Sequence, residues 1–363
     1  MKTAKPATGR IAKLMASLLL STAGLAQATT IVYVSNAETK DISVFSLDPA
    51  DGRLDPLQTF SVGGQIMPMA ISADRQRLYA ALRSKPYTVI ALSVTPKTGL
   101  LAELGSAPLP ESMANISLDR SGKFLFAASY GGNQVSVSPL DAAGVPQAAS
   151  QILPTPPMAH QITARADNTV VYASSLGGDQ LLRFRFDAAK GELSPAAGPA
   201  LSLPAKSGPR HFVFSADQRF IYLLDELDAR LHVLQADAKA EQLPLLQTVS
   251  TLPAGFEGTP AAADLHLTPD GRFLYASERG SNTLAGFRVD AKSGQLTPIG
   301  NWPTETQPRG FNISPDGQYL LAVGQKTHQL SAYRIDPKSG ELSLLARYAT
   351  GRNPNWVEII ELK

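Results

Sequence analysis

The stretch SPDGQYLLAV at Ser314–Val323 has near copies in TPDGRFLYAS at Thr268–Ser277 and SADQRFIYLL at Ser215–Leu224. This repetition restricts the folds open to the chain more than any other feature. Aligning the hairpins on one position after each turn gives Tyr33, Tyr79, Phe126, Tyr172, Tyr222, Tyr275 and Leu321, at spacings of 46, 47, 46, 50, 53 and 46. A period in the upper forties, written in short strands such as SVFSLD and GFRVD with Gly, Pro and Asp between them, predicts blades of four antiparallel strands. Seven such units predict an all-β, seven-bladed β-propeller. Asp270-Gly271, Ser121-Gly122 and Asp316-Gly317 offer the left-handed backbone that tight hairpins need. The strand ahead of each turn occurs six times, as in PMAISAD and GFNISPD, and its seventh copy stands only at the C-terminus as NWVEIIEL. The C-terminal strand is therefore predicted to complete the N-terminal blade and close the ring, leaving no free sheet edge.

The first 28 residues read differently. Lys2, Lys5, Arg10 and Lys13 precede an apolar run from Leu14 to Ala26, followed by small residues. That pattern predicts a secretory signal peptide over residues 1–28, cleaved near Ala28, and a single propeller domain over 29–363. The run is too short to span a bilayer and no longer one follows, so no membrane insertion is expected. Export to the periplasm follows from the type of leader. Its removal takes four positive charges and no negative ones, which turns the formal net charge of +2 into −2. Nothing in that balance suggests a nucleic-acid partner. The chain has no cysteine, which rules out disulfides and thiolate chemistry. A core must supply the stability, and 44% hydrophobic residues allow one. A monomer is the expected state.

Repeats that share a scaffold should share its residues, so positions where blades disagree are candidates for function. In a propeller the first strand of each blade lines the central channel, and the second runs back to the same face. Seven residues before the turn, at the channel mouth, stand Met67, Ala114, His160, Arg210, Ala263, Arg309 and Asn355. Four residues after the aligned position stand Ala37, Arg83, Tyr130, Leu176, Glu226, Arg279 and Gln325. His160, Arg210, Glu226 and Arg279 thus converge on one end of the channel, with Arg83, Tyr130, Arg309 and Gln325 around them. The competing reading makes them solvated loop-end charges. His211 and His266 share the inner strands and come next, although each could be a structural imidazole. His232 and His328, toward outer strands, look unremarkable.

A carboxylate and an imidazole can take a proton from water, while paired guanidiniums hold an anion or a developing oxyanion. Such a set suits hydrolysis or ring opening of an ester. No G-x-S-x-G elbow, no H-E-x-x-H and no dinucleotide loop occurs, so no metal and no cofactor is expected. Three classes remain: a hydrolase or lyase on a small ester, a non-catalytic sugar-binding propeller, and a protein-interaction scaffold.

GPRHFVFSAD, ADLHLTPDGRFLYASERGSNTLAGF and TETQPRGFNISPDGQYLLAVGQKTHQLSAYRID resemble the 6-phosphogluconolactonase family of seven-bladed propellers, which includes the carboxy-cis,cis-muconate cyclases. The resemblance runs from Thr29 to Lys363. It implies a carboxylic ester hydrolase that opens an aldonolactone to the aldonic acid without a metal. It also implies catalytic roles for His160 in MAHQI, Arg210 in GPRH, Glu226 in LDEL and Arg279 in SERG, the four that the repeat comparison singles out. Arg83, Tyr130, His211, His266, Gln307, Arg309 and Gln325 are the expected substrate-binding set, with Arg309 and Gln307 on sugar hydroxyls. The base, Glu226 or His160, is left open. Asp225 and Glu278 stand where the family often has Asn, or Asn and Asp, and two added carboxylates at the mouth would disfavour a phosphorylated ligand. Together with the leader, this points to periplasmic hydrolysis of D-glucono-1,5-lactone. The alternatives are 6-phospho-D-glucono-1,5-lactone as substrate, or a propeller that only binds.

Overall fold

A computed structural model of the protein describes residues 1–4, 29–237 and 239–362. Apart from residues 1–4, the predicted leader lies outside the described residues. The remainder forms seven antiparallel sheets arranged as the blades of a propeller, with no helix among the described residues. The innermost strands of blades 1 to 7 are Ile66–Ile71, Asn115–Leu118, Ala159–Ala164, Pro209–Phe214, Ala262–Leu267, Pro308–Ile313 and Pro354–Glu361. Each touches the inner strands of both neighbours, so together they encircle a channel. Blade 3 adds a short fifth strand, Leu201–Ser202, beside Gln180–Asp187. Closure is as predicted: Pro354–Glu361 pairs antiparallel with Thr30–Asn36, from Thr30 opposite Glu361 to Val34 opposite Val357.

The second strand of each blade shows why the chain adopts this arrangement. FIYLLD, FLYASE and YLLAVG are buried along their whole length, because a blade lies against each of their faces. They therefore read as continuous apolar runs, whereas outer strands such as LSLLARYA expose most of their length. The apolar core is divided into seven clusters, one between each pair of neighbouring blades. Polar clips reinforce these interfaces. The hydroxyls of Tyr33, Tyr79, Tyr222 and Tyr275 donate to the carbonyls of Gly99, Gly144, Gly294 and Gly340, each in the outer hairpin of the next blade. In blade 6 the aligned residue is Leu321, and Tyr319 two positions earlier bonds Pro49 O instead. The Gln58, Gln151 and Gln247 amides each clamp the backbone N–H and C=O of Leu101, Leu193 and Leu296 in the following blade. The turns behave as predicted, with Gly122, Gly271 and Gly317 at φ of 67°, 69° and 73°. Arg75, Asn168 and Gln218 take the same left-handed backbone in the other turns, at φ of 62°, 57° and 61°.

Blades 4 and 5 correct the expectation that Asp225 and Glu278 add charge to the mouth. His232 is buried and bonded on both ring nitrogens: Nε2 lies 2.7 Å from Asp225 Oδ2 and Nδ1 2.9 Å from Thr248 Oγ1. Asp225 is fully buried inside the blade, so it adds no charge to the mouth. Glu278, its counterpart in blade 5, is also fully buried and accepts from the Ala261 and Ser281 backbone N–H groups. Both carboxylates turn into their blades because the residue that follows each one points to the channel, and they carry no information about a phosphorylated ligand.

Two predictions follow from this packing. Tyr275→Phe removes a buried hydroxyl from the blade 5–blade 6 interface and should cost about 1 kcal/mol, seen as a lower denaturant midpoint at unchanged slope. Burial pushes the Asp225 carboxyl up to about 6, against the opposing pull of His232. Because the folded-state value is raised, the stability it contributes is complete below the unfolded value and lost as pH rises through about 6. Asp225→Asn should therefore stabilise the protein by on the order of 2 kcal/mol at pH 7.5 and converge with wild type near pH 4, in thermal melts across that range. A variant less stable than wild type at pH 7.5 would mean that the hydrogen bond between the Asp225 carboxylate and His232 outweighs the burial cost.

Candidate functional site

The inner strand starts irregularly in six of the seven blades, where its register with the second strand shifts. Such a bulge re-aims side chains, and here two successive residues reach the channel at different depths. The first of them, with the residue just past the end of the second strand, builds a cavity of about 160 Å³ at the mouth. Its lining is Arg83, Ala114, Tyr130, His160, Glu226, Arg279 and Arg309.

Glu226 is the anionic centre of this pocket. Its Oε2 accepts from Arg210 Nε at 2.8 Å and its Oε1 lies 3.1 Å from Arg279 Nη2. Burial works to raise the Glu226 carboxyl, but Arg210 and Arg279 outweigh it and hold the group below its ordinary value. Arg279 is steadied by Ala261 O at 2.9 Å from its Nε. Arg83 is steadied by Ser112 Oγ, also 2.9 Å from its Nε. Arg309 lines the pocket with no hydrogen bond or ion pair on its guanidinium among the described residues. Burial, with Arg210, Arg279 and Arg83 close by, pushes its pKa well below the usual guanidinium value.

His160 is 3% exposed and meets the Tyr130 ring edge-on, with centroids 6.1 Å apart. Burial first, then the charge of Arg210 and the neighbouring His211, push its pKa well below the ordinary imidazole value, so it is neutral at pH 7. A neutral imidazole at the wall of a pocket can accept a proton, and guanidiniums beside it can hold the negative charge that results.

The remaining predicted residues lie elsewhere. Arg210 is 1% exposed and sits behind Glu226, its Nη1 bonded to Ala263 O, so it positions the carboxylate and does not line the pocket. Gln325 donates to Asn353 Oδ1 at 2.8 Å, and Gln307 is exposed, its backbone N–H bonded to Asn282 Oδ1. Neither glutamine lines the pocket. His211 and His266 face a second, deeper cavity of about 120 Å³, which Asp264, Trp356 and Glu358 also line. Eight of the eleven predicted residues are therefore divided between a mouth pocket and a chamber beneath it, and Arg210, Gln307 and Gln325 line neither.

That chamber holds the residues that sequence reasoning missed. Asp264 Oδ1 is 2.8 Å from His211 Nδ1, and its Oδ2 is 3.3 Å from His266 Nε2. Burial would raise the Asp264 carboxyl, but the charge of His266 and the His211 hydrogen bond hold it far below the usual range, and His266 is raised in return. Glu358 accepts from Trp356 Nε1 at 2.8 Å, and burial pushes its carboxyl up to about 7. A signal for these residues was present. One position beyond the mouth residues, the blades read Pro68, Asn115, Gln161, His211, Asp264, Gly310 and Trp356, a column as irregular as the mouth itself.

Comparison with known proteins agrees with this architecture. Residues 29–359 match the family described as "Lactonase, 7-bladed beta-propeller". The chain is 41% identical over 283 residues to the 6-phosphogluconolactonase of Pectobacterium carotovorum, covering 78% of this chain and 84% of that protein. It is 40% identical over 282 residues to the 6-phosphogluconolactonase of Yersinia pestis, covering 78% and 83%. Among solved structures, the periplasmic gluconolactonase PpgL of Pseudomonas aeruginosa superposes with a TM-score of 0.87 at 28% identity, over 93% of this chain and all of that one. The protein belongs to the seven-bladed β-propeller lactonases and is a hydrolase of the 6-phosphogluconolactonase type.

Proposed function

We propose that the mouth pocket hydrolyses D-glucono-1,5-lactone to the aldonic acid, that the protein does so in the periplasm, and that His160 is the base. The observation that carries this reading is a neutral, buried imidazole beside the guanidiniums of Arg279 and Arg309. His160 takes a proton from water as the water attacks the lactone carbonyl. Arg279 and Arg309 hold the oxyanion, and His160 returns the proton to the ring oxygen as the ester bond breaks. Glu226 is a poor base, because both its oxygens already bind guanidiniums. Its role is to orient Arg279, with Arg210 locking it from behind. The export signal in the sequence and the likeness to PpgL support the unphosphorylated substrate and the periplasmic setting.

One observation favours 6-phospho-D-glucono-1,5-lactone instead. Three guanidiniums and only one carboxylate line the pocket, and Arg309 has no counterion among the described residues. The relatives named 6-phosphogluconolactonase point the same way.

Acid release from each lactone, corrected for spontaneous hydrolysis, separates these readings. Purified protein should accelerate hydrolysis of the free lactone with a higher kcat/KM than that of the phosphorylated one; the reverse order would replace the substrate assignment. His160→Gln should lower kcat by roughly 10²–10⁴ with little change in KM, and Arg309→Gln by about 10². Acceleration of neither lactone would overturn the reading. The pH profile gives a further check. His160 must be unprotonated and its pKa lies well below the ordinary value, so kcat/KM should stay level from pH 8 to below 6.5 and fall only at more acid pH.

A further inference from the structure

The mouth pocket and the chamber beneath it meet at two imidazoles. The rings of His160 and His211 lie 5.0 Å apart at 62°. His160 Nδ1 and His211 Nε2 are both buried and have no hydrogen-bond partner among the described residues. Orphaned nitrogens at such depth call for an explanation. A direct N–H···N bond of about 2.9 Å places two imidazole centroids about 5 Å apart, so a rotation of the rings is enough to join them.

The tautomers then follow in order. Asp264 is ionised and accepts at both oxygens, so His211 Nδ1, 2.8 Å from Oδ1, must carry a proton. A neutral His211 protonated on Nδ1 has its lone pair on Nε2, the orphaned atom. That lone pair can accept only from a protonated His160 Nδ1, which leaves the His160 lone pair on Nε2. His160 Nε2 is not among the sealed, partnerless atoms, and His160 lines the mouth pocket. His266 holds the other Asp264 oxygen at 3.3 Å and keeps the carboxylate from rotating away.

We infer that Asp264 and His211 are positioning residues for His160: the carboxylate fixes the His211 tautomer, which fixes the His160 tautomer and presents a lone pair to water in the pocket. The inference rests on the proposed role of His160 as base. Proton balance is kept at the mouth of the pocket. Hydrolysis of an ester by water yields an alcohol and a carboxylate, so one proton from water ends on the leaving ring oxygen and a second must leave the pocket. His160 takes that second proton on Nε2 from the nascent acid and releases it from the same nitrogen to water at the mouth as the product leaves, so its Nδ1 proton stays in place and the resting tautomer is restored.

The test reads the tautomer directly. The chain has five histidines, so ¹⁵N-histidine labelling gives a small set of imidazole spectra, in which His160→Gln identifies the His160 signals. In wild type, His160 should be protonated on Nδ1 and bare on Nε2. Asp264→Ala removes the acceptor that holds the His211 proton on Nδ1, which frees both tautomers to exchange. It should move His160 proton population to Nε2 and lower kcat by about 10² or more with KM little changed, as when the orienting aspartate of a serine hydrolase is removed. A wild-type His160 protonated on Nε2 would overturn the inference, and this reading does not depend on the Asp264 variant folding. An Asp264→Ala protein that folds and keeps both the wild-type tautomer and the wild-type kcat would overturn it as well. The spectra do not depend on turnover, so failure to hydrolyse any lactone would count against the proposed function and leave the tautomer result to be judged separately.

Discussion

Every blade of this protein depends on its neighbours to cover it. The second strand of each blade is apolar on both faces, and only an adjacent blade on each side can remove those faces from water. Among the described residues the seven clusters between blades are the hydrophobic core, and no blade has one of its own. An open row of such units would leave two faces bare, so the pairing of Pro354–Glu361 with Thr30–Asn36 does more than add hydrogen bonds. It gives the first and last blades the neighbours they lack. The tyrosine and glutamine clips then fix the distance between blades at the rim. Inner-strand positions around the channel are set by the same interfaces, which makes the ring a rigid frame for side chains at its mouth.

What the frame presents to the channel depends on the irregular start of the inner strands. A regular strand would send alternate residues into the channel and bury the others between blades. The register shift in six blades lets neighbours in sequence serve two depths. His160 belongs to the mouth pocket while Gln161 lines the chamber, and Arg210 braces the pocket's carboxylate while His211 lies below. Two polar compartments are thereby placed one above the other in a single channel.

This explains what was legible in the sequence. The period, the blade count and the closing strand could be read because the interfaces demand nearly the same residues in each repeat, as the run of Tyr33, Tyr79, Tyr172, Tyr222 and Tyr275 shows. Five charged or imidazole residues of the pocket, Arg83, His160, Glu226, Arg279 and Arg309, could be read because each breaks that sameness. Breaking the pattern does not say which way a side chain points. Asp225 and Glu278 break it too, yet both turn into their blades to meet His232 or backbone N–H groups. Arg210 and Arg279 look equivalent in sequence, but one braces Glu226 from behind and the other faces the cavity. Asp264 went unseen because its column, one residue deeper, becomes meaningful only once the bulge is known.

The charges of the pocket join its parts into one device. In the resting protein Arg210, Arg309 and Arg279 add to burial in holding His160 unprotonated, which keeps its lone pair available but makes it a weak base. On the proposed reaction, two of these guanidiniums, Arg279 and Arg309, face the oxyanion as it forms, and their field at His160 is neutralised as they bind it. Proton affinity at His160 therefore rises along the reaction, in step with the charge on the substrate. The interaction is stronger at the transition state than in the ground state, which is the condition for catalysis rather than mere binding. Asp264 is placed where it reinforces this sequence. Held through His211 on the far side from the lactone, its negative charge favours the imidazolium that the guanidiniums oppose in the resting state, and it does so without adding an anion to the pocket that must receive one.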